Sequence, residues 1–165
     1  MVEFRAPAEY RIPPDRNATD VLFDIAAQNP GKTVFRRQAG DDWLPVSAAE
    51  AVATVTALAK GLIASGIQPG DRVALLSATR LEWTLLDFAI WSASATPVPI
   101  YDSSSGPQID WIMQDSAAVA IIVETPAHRE IVATVPSITD RTQVVEIAPA
   151  AGQGVVDVLT ERGKD

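Results

Sequence analysis

Three stretches of this chain share one grammar: Ser47-Ala-Ala-Glu50, Thr79-Arg-Leu-Glu82 and Ser105-Gly-Pro-Gln108 each lead into apolar residues at helical spacing. In such a capping box the two side chains each accept from a backbone N–H that a helix start leaves orphaned. Between and after these starts lie short apolar runs, RVALLS (72–77), TPVPI (96–100), VAIIVE (119–124) and QVVEI (143–147). Runs this short suit buried strands, and strands alternating with helices predict βαβ units. The fold class expected is therefore α/β, with a mainly parallel sheet covered by helices on both faces.

The remaining segments fit round that frame. Residues 1–16 contain Pro7, Pro13 and Pro14 among charges and read as an extended arm. Asn17 precedes Val21, Leu22 and Ile25, a helical stripe that stops at Asn29-Pro30-Gly31. TVFRRQ (33–38) and WLPVS (43–47) predict a hairpin around AGDD. Behind Ser47, the residues Val52, Val55, Ala59, Leu62 and Ile63 keep a helical period, and Gly66 can supply a left-handed stop. The stretch WTLLDFAIW is apolar on most sides, which predicts a sandwiched helix. Pro97 and Pro99 confine TPVPI to a sheet edge or strand end. PAHREIVATV (126–135) reads as a helix, and residues 149–165 as a loose tail ending in a short helix over VVDVLTER. The α/β unit itself is expected over 17–148. The strand–helix pattern does not close on itself, so a piece of a larger fold is expected.

Composition narrows the function classes. Thirteen basic residues against twenty-one acidic ones leave a net charge of −8, which argues against a nucleic-acid binder needing a basic stripe. Anionic ligands would also be repelled unless a local site overcame the field. The absence of cysteine excludes disulfides, zinc–thiolate sites and cysteine nucleophiles. MVEFRAPAEYRIPP has no apolar core of a signal peptide, and no apolar stretch reaches the ~20 residues of a membrane span. A cytoplasmic location is expected by default.

The residues of chemical interest each have a plainer reading. A serine nucleophile needs a base, and His128, the one histidine, lies in a mostly polar stretch that suits a solvated surface position. No Gly-x-Ser-x-Gly elbow and no phosphate loop of the Gly-x-x-x-x-Gly-Lys-Ser/Thr kind is present. Gly152-Gln153-Gly154 lacks the third glycine of a dinucleotide fingerprint and reads as a loop. Asp41-Asp42 suit a turn better than a metal site. Arg36-Arg37 stand apart from Arg80, which is expected to pair with Glu82 or Asp87. Trp83, Phe88, Trp91 and Trp111 read as core residues. The serines 103–105 carry two readings: a helix start with free N–H groups can hold an anion, and the same residues can cap that helix.

The order of the segments adds a resemblance. WLPVSAAE (43–50), GIQPGDRVALLSATRLEWTLLDFAIW (66–91), VPIYDSSS (98–105) and AVAIIVET (118–125) resemble the adenylate-forming, AMP-binding superfamily. Glu82-Trp83-Thr84 with Asp87-Phe88-Ala89-Ile90-Trp91, followed by VPIYDSSS, is similar to the N-terminal part of long-chain fatty acyl-CoA synthetases. The likeness covers about residues 17–148. It implies a parent enzyme that activates a fatty acid with ATP and Mg²⁺ to an acyl-adenylate and then transfers the acyl group to CoA. The ATP loop and its lysine would lie downstream, so no position here inherits a catalytic role, no metal ligand is expected, and the piece alone is expected to be inactive and to bind none of these cofactors. The loop after TPVPI would face the side where CoA enters, which makes Tyr101, Ser103 and Ser104 the binding candidates, as rim contacts. The implied partners are fatty acid, CoA and the rest of the adenylation domain, with no nucleic acid; peripheral membrane association and a homodimer are further expectations. A fatty acyl-AMP ligase and a non-catalytic α/β interaction module are the alternatives. Where such enzymes read Ala-Gly-Ala, this chain has Ala93-Ser94-Ala95, which is tolerable unless the position needs positive φ.

Overall fold

The computed structural model describes residues 13, 15–148 and 153–164; most of the 1–16 arm and residues 149–152 lie outside them. Twelve elements follow in chain order: α1 (Asp20–Gln28), β1 (Thr33–Ala39), β2 (Asp42–Ser47), α2 (Ala48–Ala64), β3 (Arg72–Leu76), α3 (Leu81–Ser92), β4 (Thr96–Ile100), α4 (Gly106–Ser116), β5 (Ala120–Val123), α5 (Pro126–Val132), β6 (Gln143–Glu146) and α6 (Val155–Arg162). β1 and β2 form the expected antiparallel hairpin, with Gly40 at a φ of +62° in its tip. The other four strands form one parallel sheet in the order β4-β3-β5-β6. β4 lies at the edge, where the N–H groups that Pro97 and Pro99 lack are least missed.

The two central strands explain why their sequences are apolar without alternation. Val73 and Leu75 of β3 and Ala120 and Ile122 of β5 feed one core with α2, α3 and α6. The intervening Ala74, Leu76, Ile121 and Val123 feed a second core with α4 and α5. Successive strand residues point to opposite faces, so a strand covered on both sides must be apolar at every position. The hairpin and α1 pack outside the first core through Leu22, Phe23, Phe35 and Val46.

Helix ends follow local rules, with informative exceptions. At α2 the Ser47–Glu50 box closes, with Glu50 N–H donating to Ser47 Oγ (3.2 Å) and Ser47 N–H donating to the Glu50 carboxylate (2.8 Å). A cap of this kind stabilises by about 1 kcal/mol. At α4, Gln108 Oε1 accepts from Ser105 N–H (2.8 Å) and Oγ–H (2.9 Å). The box expected at Thr79 does not form: α3 begins after Arg80, no side chain caps it, and Glu82 turns to the Arg80 guanidinium instead. α1 likewise starts at Asp20 rather than directly after Asn17, whose side chain accepts from Thr19 N–H (2.8 Å). α5 stops at Val132, short of the expected Val135. In α2, Ala51 and Leu58 join Val55, Ala59 and Leu62 in the buried stripe, whereas Ile63 is exposed in an open hollow beside Arg162 and Gly163.

α2 and α3 stop in the same way. Ile67 N–H donates to Leu62 O and Gly66 N–H to Ile63 O, with Gly66 at a φ of +95°. Ala95 N–H donates to Ile90 O and Ser94 N–H to Trp91 O, with Ser94 at a φ of +59°. Both are paired 6→1 and 5→2 closures that place the residue after the cap in the left-handed region. At the second stop that residue is a serine, whose Cβ is strained there.

The described part of the 149–165 tail is less loose than expected. α6 buries Val155 and Leu159 against α2. A Cβ on Gly61 would lie 2.0 Å from the carbonyl oxygen of Leu159, so the two helices cross at backbone contact. Glycine inside a helix costs about 1 kcal/mol relative to alanine, and this crossing accounts for it. Arg162 adds a hydrogen bond to Ser65 Oγ (2.8 Å).

Two outcomes test these assignments. Ser94→Gly should raise the denaturation free energy by about 0.5–1 kcal/mol, because relief of left-handed strain exceeds the extra unfolded-chain entropy of glycine; a Ser94→Gly chain less stable than Ser94→Ala would contradict it. Gly61→Val should lower stability by about 1–3 kcal/mol, as overpacking does, and should speed amide exchange in Val155–Arg162 before the sheet.

Candidate functional site

In open parallel sheets, ligands bind outside the carboxyl ends of the strands where the strand order reverses. Here the chain moves from β3 outward to β4, then returns past β3 to β5 and continues to β6. The reversal lies between β3 and β5, and the residues that leave their carboxyl ends are Ser77–Arg80 and Glu124.

Glu124 ties this edge together. One carboxylate oxygen accepts from Ala78 N–H (2.9 Å) and Ser77 Oγ–H (3.2 Å), and the other from the Arg80 guanidinium (3.1 Å). Arg80 also donates to Glu82 (2.7 Å). The Glu82 hydrogen bond, joined by the charges of Glu82 and Glu124, raises the Arg80 pKa further despite partial burial. Burial opposes ionisation of Glu82, but hydrogen bonding and charge from Arg80, with the charge of Arg37, leave its carboxyl below the ordinary value. Arg80 therefore takes Glu82 and Glu124 as partners, and no ion pair with Asp87 forms among the described residues.

Arg36 and Arg37, which stand apart from Arg80 in sequence, line one cavity of about 320 Å³ with Arg80, Trp43, Thr79 and Glu124. This convergence escapes sequence reasoning, because the hairpin folds back over the edge of the sheet from forty residues upstream.

The loop after β4 completes the edge. Ser104 N–H donates to Tyr101 O (3.0 Å), forming a turn that leaves Tyr101 84% exposed. Ser103 is exposed and Ser104 half-buried. Tyr101 borders two hollows: one of about 220 Å³ with Ser77, Thr79, Trp83, Pro99 and Ile100, and one of about 400 Å³ with Ser104, Pro107, Gln108, Trp111 and Ile112. The three candidates thus share one loop, and Ser105 is occupied in starting α4.

The aromatic and histidine expectations need correction. Trp111 is 66% exposed, because the inward face of α4 belongs to Ile109 and Met113. Trp91 is also exposed, stacking edge-on with Phe88 at 5.6 Å. His128 is half-buried rather than solvated, and its Nδ1 has no hydrogen-bond partner among the described residues, so no serine hydroxyl is engaged there. Gly154 starts α6 at a φ of −75°, while Gly152 lies outside the described residues. Among the described residues no cluster of three or more acidic or histidine side chains could hold a metal ion, and no helix is long and apolar enough to cross a membrane.

Asp87, on the outer side of α3, has no ion-pair or hydrogen-bond partner among the described residues, and burial pushes its carboxyl up to about 6.

The comparisons with known proteins match this architecture. The chain is 39% identical over 164 residues to the long-chain-fatty-acid–CoA ligase FadD15 of Mycobacterium bovis, covering 99% of this chain and 27% of that protein. It thus spans about a quarter of the length of that relative. The ATP-bound crystal structure of MatB from Rhodopseudomonas palustris superposes with a TM-score of 0.72 at 25% identity, over 87% of this chain and 27% of that one. A long-chain-fatty-acid–CoA ligase, FadD1, of Archaeoglobus fulgidus shares the fold with a TM-score of 0.79 at 19% identity, over 94% of this chain and 33% of that one. The family described as AMP-binding enzyme matches residues 22–163, and on that match, supported by the parallel sheet and its reversal point, the chain belongs to the AMP-binding enzyme family.

Proposed function

We propose that this chain is the N-terminal α/β subdomain of a long-chain fatty acid–CoA ligase, which joins fatty acid and ATP into an acyl-adenylate and then passes the acyl group to the CoA thiol. The observation that carries the reading is the 39% identity to FadD15 along 99% of the chain. Its substrates would be a fatty acid, ATP and CoA.

The residues present do not fit ATP with Mg²⁺. The sequence has no glycine-rich loop with a lysine, and the described residues offer no metal cluster. No step of adenylation is therefore assigned to these side chains. Their role in the ligase is structural and marginal: they build one sheet and offer an edge to CoA. Tyr101, Ser103 and Ser104 are proposed as that edge, supported by their place beside the reversal point and by the exposure of Tyr101. The net charge of −8 disfavours phosphate binding by this chain outside a local basic site. A cytoplasmic location, peripheral membrane association and a homodimer remain part of the proposal.

Two measurements test this. The 165-residue chain, given palmitate, ATP and Mg²⁺, should release no pyrophosphate above background, and real turnover would overturn the division of labour. In a full-length ligase carrying this sequence, Tyr101→Ala and the Ser103→Ala/Ser104→Ala pair should raise the KM for CoA about two- to fivefold, the worth of a rim hydrogen bond of ~0.5–1 kcal/mol, while acyl-adenylate formation stays unchanged. Adenylate that accumulates without CoA consumption in the unaltered ligase would instead favour a fatty acyl-AMP ligase.

A further inference from the structure

Glu124 holds the stretch between β3 and α3 at both ends. Its backbone N–H donates to Leu76 O (3.0 Å), and its carboxylate accepts from Ala78 N–H (2.9 Å). Two residues further on, the same carboxylate receives the Arg80 guanidinium (3.1 Å). Thr79 lies between these anchors and makes no hydrogen bond of its own among the described residues. Its place is therefore set by Ala78 and Arg80, and both of those are set by Glu124.

That place has a consequence for ligands, because the exposed Thr79 lines two cavities at once. One, of about 320 Å³, is shared with Arg36, Arg37 and Trp43 of the hairpin. The other, of about 220 Å³, is shared with Trp83 and Tyr101. Local rules leave the Thr79–Trp83 side of that second hollow unsupported. No side chain caps α3, and Glu82, which could have closed a box with Thr79, accepts from Arg80 instead (2.7 Å). Arg80 bridges its two carboxylates through different nitrogens, Nε to Glu82 and Nη1 to Glu124. A guanidinium spreads its donors in a fixed plane and can do this; an ammonium is a point charge and cannot. The three side chains are only 19–31% exposed, so water and salt screen them less than an open surface pair.

We propose that Glu124 is a positioning residue for CoA binding: it fixes Ala78 and Arg80, and through them the Thr79–Trp83 wall of the hollow that Tyr101 borders. The proposal rests on the reading of Tyr101 as a CoA contact given above. Glu124 acts without touching the ligand. Both of its carboxylate oxygens are occupied by donors of the protein, and a carboxylate turned toward the CoA phosphates would repel them.

The test uses a full-length ligase carrying this sequence and reads the Kd for CoA by calorimetry, the KM for fatty acid and for ATP, and Tm. Glu124→Gln keeps the side-chain length but removes the charge that holds Arg80. It should weaken CoA binding about two- to fivefold, since a residue acting through the rim cannot cost more than the rim contacts themselves. The KM for fatty acid and for ATP should not change. Arg80→Lys should weaken CoA binding in the same way, because lysine cannot span both carboxylates. In a Tyr101→Ala background Glu124→Gln should add little, as expected of groups that act on one edge.

An unchanged Kd for CoA in both Glu124→Gln and Arg80→Lys would overturn the proposal. So would equal losses toward CoA, fatty acid and ATP that follow a lowered Tm, the pattern of a purely structural residue, and so would full additivity with Tyr101→Ala. If Glu124→Gln does not fold, Arg80→Lys and its combination with Tyr101→Ala decide by the same criteria. Tyr101→Ala with an unaltered Kd for CoA would remove the CoA reading of the loop, and this proposal with it. An effective Tyr101→Ala beside silent Glu124→Gln and Arg80→Lys would remove the positioning role alone.

Discussion

The β3–β5 pair is the contact on which everything else depends. Val73, Leu75, Ala120 and Ile122 face one way, and Ala74, Leu76, Ile121 and Val123 the other. A one-residue slip of either strand would exchange the two sets, but both sets are apolar, so side-chain polarity alone does not fix the register. The ends of the strands fix it. Glu124, just beyond β5, accepts from Ala78 N–H and Ser77 Oγ–H just beyond β3, and Arg72 at the other end of β3 donates to the carbonyls of Ser116 and Ala117, just ahead of β5. Polar clamps at both ends hold an apolar ladder in place. The same clamp at the carboxyl end forms the floor of the candidate site.

That double use explains which features were legible in the sequence. Capping boxes at Ser47 and Ser105 are codes written within four residues, and nothing distant competes with them. The third box fails because Arg80, between Thr79 and Glu82, has a partner forty-four residues away in Glu124 and takes Glu82 as well. A local rule gave way where a long-range charge network runs, and that network lies at the sheet's reversal point. Continuous apolar runs identified β3 and β5, and the prolines of β4 identified an edge. The convergence of Arg36, Arg37 and Arg80 on one cavity was invisible, because no periodicity relates a hairpin to a strand end across the sheet.

Trp111 and Ile63 were misplaced for a related reason. Helical spacing shows that a residue shares a face with its neighbours, but not how wide the covered face is. α4 meets the sheet through a narrow stripe of Ile109 and Met113, which leaves Trp111 outside it. α2 is covered by α1, α3 and α6, and Gly61 lets α6 approach closely, yet Ile63 lies just outside the covered face beside Arg162 and Gly163.

The strained Ser94 and the lone Asp87 share one helix, and they differ in what each asks of its surroundings. Ser94 closes α3 by two hydrogen bonds and hands its carbonyl to Gly70 N–H (2.8 Å), so the turn before β3 and the turn before β4 are joined through it. Its strain is local and is offset within this fold, by bonds that any residue in that conformation would make. Asp87 receives no such compensation from the described residues. A cost met inside the fold marks a structural position, whereas a half-buried carboxyl with no partner among the described residues keeps its proton to higher pH. Both positions lie on one helix that packs against α2 and β4 and meets the hairpin strand β1 beside Phe88.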